Sequence, residues 1–319
     1  MTGTRVVVVG DVFDDLIVTP AGEIRPDTDT SARIQRRDGG SAANAAAWFG
    51  SLGHETHFFG RVGRADAARH SLSLAAHGVE PHLVADAELV TGTIVVVLEA
   101  DRTRTMLTDR GANALASPDD VDRGLLVPGS HLHLTAYTLF PGPGVDEERR
   151  AAAFAAVIAA ARQSGATVSV NPGSAGFIAD HGAAGLLAAT AGATIAVPNL
   201  DEGRLLTGRD EPGDVLDALL EHYEVVALTL GRAGALGGTR RGARARTDAV
   251  PVDPVDTTGA GDAFGAAFTS ALVHASVPVP EAGEQSLHAA LTAGARTAAV
   301  AITRVGARPP LDTTTTRTP

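Results

Sequence analysis

Short runs of consecutive apolar residues alternate along most of the chain with longer, alanine-rich stretches. Residues 6–9, 131–135, 167–170, 194–197 and 225–230 form runs with no consistently polar face. A strand covered on both sides has no polar face to keep, so these are expected to be buried strands of a mostly parallel sheet. Helices are expected between and after them at residues 41–51, 65–77, 145–163, 215–222, 259–274 and 281–302. Such an order predicts an α/β fold with helices on both faces of one sheet. Ser117-Pro118-Asp119-Asp120 joins an N-cap, a first-turn proline and two acids, which marks the start of a short helix.

Two stretches break the alternation. Residues 16–37 and 91–110 hold extended runs, among them Thr93-Ile94-Val95-Val96-Val97-Leu98 and Arg104-Thr105-Met106-Leu107, joined by Gly, Pro, Asp and Thr turns. Antiparallel hairpins that leave the main sheet as a small second layer are expected there; the alternative is a static extension of its edge. Residues 1–312 are expected to make one α/β domain, and residues 313–319, which carry no core, a frayed tail.

Composition narrows the chemistry. Hydrophobic residues make up 44% and charged residues 20% of the 319, as in a globular chain able to bury a large core. The net charge of −11 argues against a general nucleic-acid binder, whose phosphate contacts need a basic surface. All 26 basic residues are arginine. A phosphate-binding P-loop and a Schiff-base enzyme both need lysine, so both classes are excluded. Having no cysteine, the chain has no disulfides, thiolate zinc sites or cysteine nucleophiles. The first apolar run stops at Gly10-Asp11, too soon for a secretory signal, and residues 151–161 fall well short of the roughly 18 residues a membrane helix needs. A cytoplasmic protein with no membrane partner is expected.

Candidate chemistry gathers at Asp256-Thr257-Thr258-Gly259-Ala260-Gly261-Asp262, which runs straight into the apolar residues 263–272. The N–H groups that open a helix lack partners, so this backbone offers an anion site beside the carboxylate of Asp262. A base next to an anion site suits phosphoryl transfer, in which a hydroxyl loses its proton while donors hold the moving phosphoryl group. The same residues also read as an ordinary helix start capped by Thr258 or Asp256. In Asn199-Leu200-Asp201-Glu202, Asn199 can cap a helix and Glu202 complete a capping box. His54-Glu55-Thr56-His57 is one residue too short for a zinc-protease helix, and His131 and His133, on one face of a strand, read as metal ligands or as core. Gly39-Gly40-Ser41-Ala42-Ala43 lacks the last glycine of a hydrolase elbow, and no dinucleotide fingerprint follows the first strand.

Three blocks in order, Gly10-Asp11-Val12-Phe13-Asp14-Asp15, Asp38-Gly39-Gly40-Ser41-Ala42-Ala43-Asn44-Ala45-Ala46, and Asp256 to Asp262 followed by Ala263-Phe264, make nearly the whole chain resemble the ribokinase (PfkB-type) family of carbohydrate kinases. The resemblance implies a ribokinase-like three-layer sandwich with a mostly parallel central sheet and a small β lid that closes over the sugar and makes a homodimer contact. It implies an ATP-dependent kinase that phosphorylates a hydroxyl of a monosaccharide or sugar acid. Asp262 would be the general base, with the amides of Gly259, Ala260 and Gly261 stabilising charge. Sugar contacts map onto Asp15, onto the Gly39-Gly40 turn, whose backbone allows close approach, and onto Asn44, which both donates and accepts.

On the ATP side, Asn199 and Glu202 resemble the family's Asn-x-x-Glu motif, in which Glu202 acts on hydrated Mg2+; the capping-box reading stands beside this one. Thr229, Gly231 and Gly234 resemble its nucleotide-binding turn. Ala301, Arg304 and Gly306 resemble a loop that, with Asp256 and Thr258, holds a monovalent cation such as K+; Pro310 departs from the serine ligand common in ribokinases proper. Ala136-Tyr137-Thr138 stands where ribokinases carry a sugar-binding glutamate, which disfavours ribose. Arg110, with Arg102 and Arg104 on or beside the lid, is a candidate partner for the carboxylate of an acid sugar or a solvated charge. A nucleoside kinase and a catalytically silent sugar-binding regulator are the alternatives.

Overall fold

The computed structural model describes residues 3–98, 104–139, 145–275 and 277–311. The chain opens with β1 (Arg5–Val9), whose four valines are all buried. An outlying hairpin of β2 (Phe13–Pro20) and β3 (Ala32–Gly39) precedes α1 (Ser41–Ser51). β4 (Glu55–Gly63), α2 (Ala67–Ala75) and β5 (Val79–Asp86) follow, then a second outlying hairpin of β6 (Gly92–Leu98) and β7 (Arg104–Asp109). The alternation continues through β8 (His131–Thr135), α3 (Glu147–Gln163), β9 (Thr167–Asn171), α4 (Ala175–His181), α5 (Ala183–Ala189) and β10 (Ile195–Ala196). Then come α6 (Leu200–Thr207), α7 (Pro212–Leu219), β11 (Val225–Thr229), β12 (Ala235–Thr239), β13 (Arg244–Thr247), α8 (Ala260–Val273) and α9 (Glu284–Ile302).

The main sheet has nine strands in the order β13-β12-β11-β10-β9-β8-β1-β4-β5. Those from β11 to β5 run parallel, and the β11-β12-β13 end is antiparallel. Successive side chains of a strand point to opposite faces, and β1 shows the result. Val6 and Val8 pack with α1 and α8, whereas Val7 and Val9 join Phe154, Val157 and Ile158 of α3. Under β10 and β11, Ile195, Val225 and Ala227 meet Phe264 and Phe268 of α8 and Leu287 and Leu291 of α9. Each large side chain buried there contributes about 1.5–3 kcal/mol. A carboxylate in place of Val8 would be buried without a partner and would break the α1 face.

All five expected strands are present, with β10 cut to two residues. β4, β5, β12 and β13 escape a search for apolar runs: Glu55, His57 and Arg61 interrupt β4, and Gly237-Gly238 occupy β12. Residues 118–120 form a three-residue 3-10 turn closed by a Ser117–Asp120 capping box. The second layer is a sheet of its own, in the order β3-β2-β6-β7. β2–β3 and β6–β7 are antiparallel hairpins, but they join through a parallel β2–β6 pair, and β2 begins at Phe13 rather than at residue 16. Arg102 and residues 313–319 lie outside the described residues, as does the side chain of Arg104. Among the described residues no helix is long and apolar enough to cross a membrane.

Candidate active site

The C-terminal ends of β1 and β8 meet the start of α1 at one carboxylate. Asp11 accepts hydrogen bonds from the backbone N–H of Ser41 (2.9 Å) and of Ala42 (3.3 Å) and from the Thr135 hydroxyl (2.8 Å). It thus supplies partners to N–H groups that the helix leaves open. Gly40, at φ 96°, admits no side chain, since a Cβ would lie 2.6 Å from the Asp11 carbonyl oxygen. Gly39 has no room for one either: its Cβ would lie 2.3 Å from both carboxylate oxygens of Asp15. The glycine pair therefore brings the start of α1 directly against the Asp15 side chain.

Asp262 sits in the first turn of α8 and faces the same helix start. It accepts from the Ser41 hydroxyl (2.6 Å) and from the Asn44 side-chain amide (3.1 Å). Burial pushes its pKa up; the Ser41 and Asn44 hydrogen bonds oppose this and the charge of Asp11 adds to it, leaving it at about 7. Asp15 is likewise raised to about 7, by burial first and then by Asp11, with the Arg308 guanidinium opposing. Asp15 Oδ1 and Asn44 Oδ1 are buried without a hydrogen-bond partner. An unmet buried acceptor costs about 1–3 kcal/mol, which a donor on a ligand would recover. Hydroxyl groups are such donors.

Gly259 caps α8 at φ 76°, so close to the 303–307 loop that a Cβ would lie 2.4 Å from Ala307 Cβ. Asp256 accepts from the N–H groups of Thr258 (2.9 Å) and Gly306 (3.1 Å), which brings the turn before α8 against that loop. Ala301 lies in the last turn of α9, with Arg304 and Gly306 just beyond it. Trp48, on α1, donates its indole N–H to the Ala307 carbonyl (2.9 Å).

The expected capping box on α6 is present. Glu202 N–H donates to Asn199 Oδ1 (2.9 Å), Asn199 N–H to Glu202 Oε2 (2.9 Å) and the Asn199 amide to Glu202 Oε1 (2.5 Å). Burial pushes Glu202 up to about 7 against the Asn199 N–H, with the charges of Asp201 and Asp262 adding. Thr229, at the end of β11, donates its N–H to the Pro198 carbonyl (3.0 Å) and bridges to Asn199, so two of the expected ATP segments are adjacent. Gly231 (φ 57°) and Gly234 (φ 86°) form the turn that follows. Arg110 donates to the Tyr137 carbonyl (2.6 Å); burial lowers its pKa and Asp11 opposes.

Several supporting residues lie outside the expected set. Asp11 and Ser41 fall within the sequence blocks themselves. Asn113 holds Val12 through both peptide groups, accepting from its N–H (3.0 Å) and donating to its carbonyl (2.7 Å). Arg308 reaches the Ser73 hydroxyl (2.8 Å) and the Gly39 carbonyl (3.5 Å). Asn113 and Arg308 stand 101 and 269 residues from Val12 and Gly39, and no local pattern marks them.

A buried carboxylate at a helix start, beside paired glycines and unmet acceptors at the C-terminal edge of a parallel sheet, is an arrangement that phosphoryl transfer to an alcohol could use. The chain belongs to the pfkB family of carbohydrate kinases, whose family model matches residues 3–314. It is 30% identical over 278 residues to an ATP-dependent ribose-1-phosphate kinase of Halopiger xanaduensis, covering 83% of each chain. To a fructokinase of Klebsiella pneumoniae it is 29% identical over 284 residues, covering 86% of each. In structure it is similar to the fructokinase from Vibrio cholerae O395 in its fructose-, ADP- and calcium-bound form, with a TM-score of 0.79, 26% identity, and 96% of this chain and 95% of that one covered. The fold is thus that of the ribokinase-type sugar kinases, and the activity is that of a carbohydrate kinase, phosphoryl transfer from ATP to a sugar.

Proposed function

We propose that this chain transfers the γ-phosphoryl group of ATP to a hydroxyl of a monosaccharide or sugar acid, with Asp262 as general base. The observation that carries the reading is the pair of hydrogen bonds from Ser41 and Asn44, which hold the buried Asp262 carboxylate against the start of α1, the same helix start that the Gly39-Gly40 turn brings up to Asp15. Asp15 and Asn44 receive the sugar hydroxyls on their unmet oxygens. As the hydroxyl oxygen bonds to the γ-phosphorus and the bond to the ADP oxygen breaks, the hydroxyl proton passes to Asp262. A pKa of about 7 leaves much of Asp262 deprotonated at neutral pH while keeping it basic enough to accept that proton. The N–H groups of Gly259, Ala260 and Gly261, at the positive end of the α8 dipole, face the charge that develops on the phosphoryl oxygens.

ATP lies along Asn199, Thr229, Gly231 and Gly234. Both oxygens of Glu202 are taken by its capping box, which fits an acidic group that meets a hydrated Mg2+ through water, as that ion prefers. When bound, magnesium neutralises charge on the phosphate oxygens. The Asp256–Thr258 turn and the Ala301, Arg304 and Gly306 carbonyls supply the site of a monovalent cation, K+. Arg110, near Asp11, is the group for a substrate carboxylate. The second sheet acts as the lid, and its exposed Ile34, Met106 and Leu107 form a homodimer contact. The setting is the cytoplasm.

ADP release measured across pentoses, hexoses, sugar acids, sugar phosphates and nucleosides identifies the acceptor. Asp262→Asn is expected to lower kcat about 10²–10⁴-fold while sugar binding survives. Turnover unchanged in that variant removes Asp262 from the role. Sugar binding with no ADP release from any acceptor would leave the silent regulator instead.

A further inference from the structure

Far from the catalytic end of the sheet, two imidazoles and two carboxylates converge on one point of the β4–β5 edge. His57 of β4 pairs in register with Glu80 of β5, and Phe59 with His82, so His57, Glu80 and His82 share one face. His57 Nδ1 stands 3.1 Å from His82 Nε2 and 3.4 Å from Glu80 Oε2, and His82 Nε2 stands 3.8 Å from Glu80 Oε1. The ligand atoms of the three residues lie within 4.8 Å of one another. In a tetrahedral zinc site with bonds of about 2.0–2.1 Å, neighbouring ligand atoms are about 3.3 Å apart. We propose that His57, His82 and Glu80 form a binding site for Zn2+ or a similar divalent transition metal ion, separate from the kinase centre.

The surroundings support a metal over a chance contact. The far nitrogen of His57, Nε2, faces Glu55 Oε1 at 3.3 Å, and the Glu55 carboxylate is itself held by Arg5 at 2.8 Å. An ionised carboxylate can only accept, so His57 donates its Nε2–H to Glu55 and turns the Nδ1 lone pair toward His82. This is the carboxylate–histidine–metal arrangement that orients ligating imidazoles. His82 is fixed by stacking on Phe59, with ring centroids 4.4 Å apart and planes 7° off parallel. With the His82 proton on Nδ1, two nitrogen lone pairs and the Glu80 carboxylate face each other with a cation as their natural partner; with it on Nε2 the same contact is a hydrogen bond that a metal would displace. The His57 side chain is 7% exposed, that of His82 34% and that of Glu80 65%, so the site has a buried anchor, an open entry and room for water as a fourth ligand. β5 is the end strand of the sheet, so a bound ion would clamp its open edge to β4.

The test titrates the metal-free full chain with Co2+ and Zn2+. One equivalent of Co2+ is expected to bind with the strong visible absorption of a four-coordinate ion and to be displaced by Zn2+. Zn2+ is expected to raise the unfolding temperature, and a chelator to reverse this. His82→Ala and Glu80→Gln, both on the surface, should abolish the spectrum, and Glu55→Gln should weaken binding about 10–100-fold, with ADP release by the sugar kinase reaction unchanged. The site is overturned if no stoichiometric Co2+ binds, or if binding survives both surface variants. It is also overturned if binding disappears in Asp14→Asn instead, which would assign the ion to the Asp14, Asp38 and His70 cluster.

Discussion

Asp14 and Asp15 are neighbours on β2, and the strand turns them to opposite faces with opposite consequences. Burial alone would raise the pKa of Asp14, but hydrogen bonds from His70, Arg36 and Arg69 overcome it and hold the carboxyl well below the usual range. The same two arginines reach onward, Arg36 to Asp66 (2.8 Å) and Arg69 to Asp38 and Asp66, so the root of the second sheet is tied to α2 by an ionic network. Asp15 has no such company: burial raises it to about 7 and its Oδ1 meets no donor. A carboxylate whose bonds are all made inside the protein serves structure. One left wanting a donor in a buried place is poised for a ligand, and Asp15 is of that second kind.

The steepest way to probe this contrast is pH. Because the base acts only when deprotonated and its pKa is raised to about 7, kcat/KM should climb through neutrality and level off above it. Below pH 7 it should fall at least about tenfold per unit, about a hundredfold or more by pH 5, since the Asp15 carboxylate proposed to bind the sugar is raised to about 7 as well. A rate profile flat down to pH 5 would deny Asp262 the base role. Next in size, Asp15→Asn is expected to raise the sugar KM about 10–100-fold with kcat within a few-fold, the loss of a charged hydrogen-bond acceptor at about 1.5–3 kcal/mol. Equal effects on kcat and KM would blur the distinction between binder and base.

Asp14→Asn should behave in the reverse sense. It is expected to cost about 1–2 kcal/mol in denaturant unfolding, since Arg36 and Arg69 are partly exposed and screened, and to leave kinetic constants within a few-fold. A kinetic defect larger than the stability loss would place Asp14 with the substrate groups after all. The smallest effect is expected at Glu202→Gln. Glutamine still completes a capping box, so stability should change by less than about 1 kcal/mol while the KM for magnesium ATP rises a few-fold. An unchanged KM would make the cap its whole task.

What the sequence disclosed follows the range of the forces involved. Glycine turns, caps and apolar runs act over a few residues, so the Gly39-Gly40 pair, the α6 capping box and the β1, β8, β9 and β11 runs were legible in advance. β4 was hidden because Glu55, His57 and Arg61 interrupt the apolar run along one of its faces. The parallel join between the two hairpins of the second sheet, the grip of Asn113 on Val12 and the approach of Arg308 to Asp15 depend on partners that only folding brings near. Local composition carries no trace of them.

Trp48 is the one tryptophan of the chain, and its indole N–H is bonded to the Ala307 carbonyl in the loop that backs the opening turn of α8. Tryptophan fluorescence therefore reports from a single address. Any rearrangement of that loop on addition of nucleotide or of the proposed monovalent cation would alter the polarity and hydrogen bonding of one emitter, readable in stopped flow without dyes or added labels.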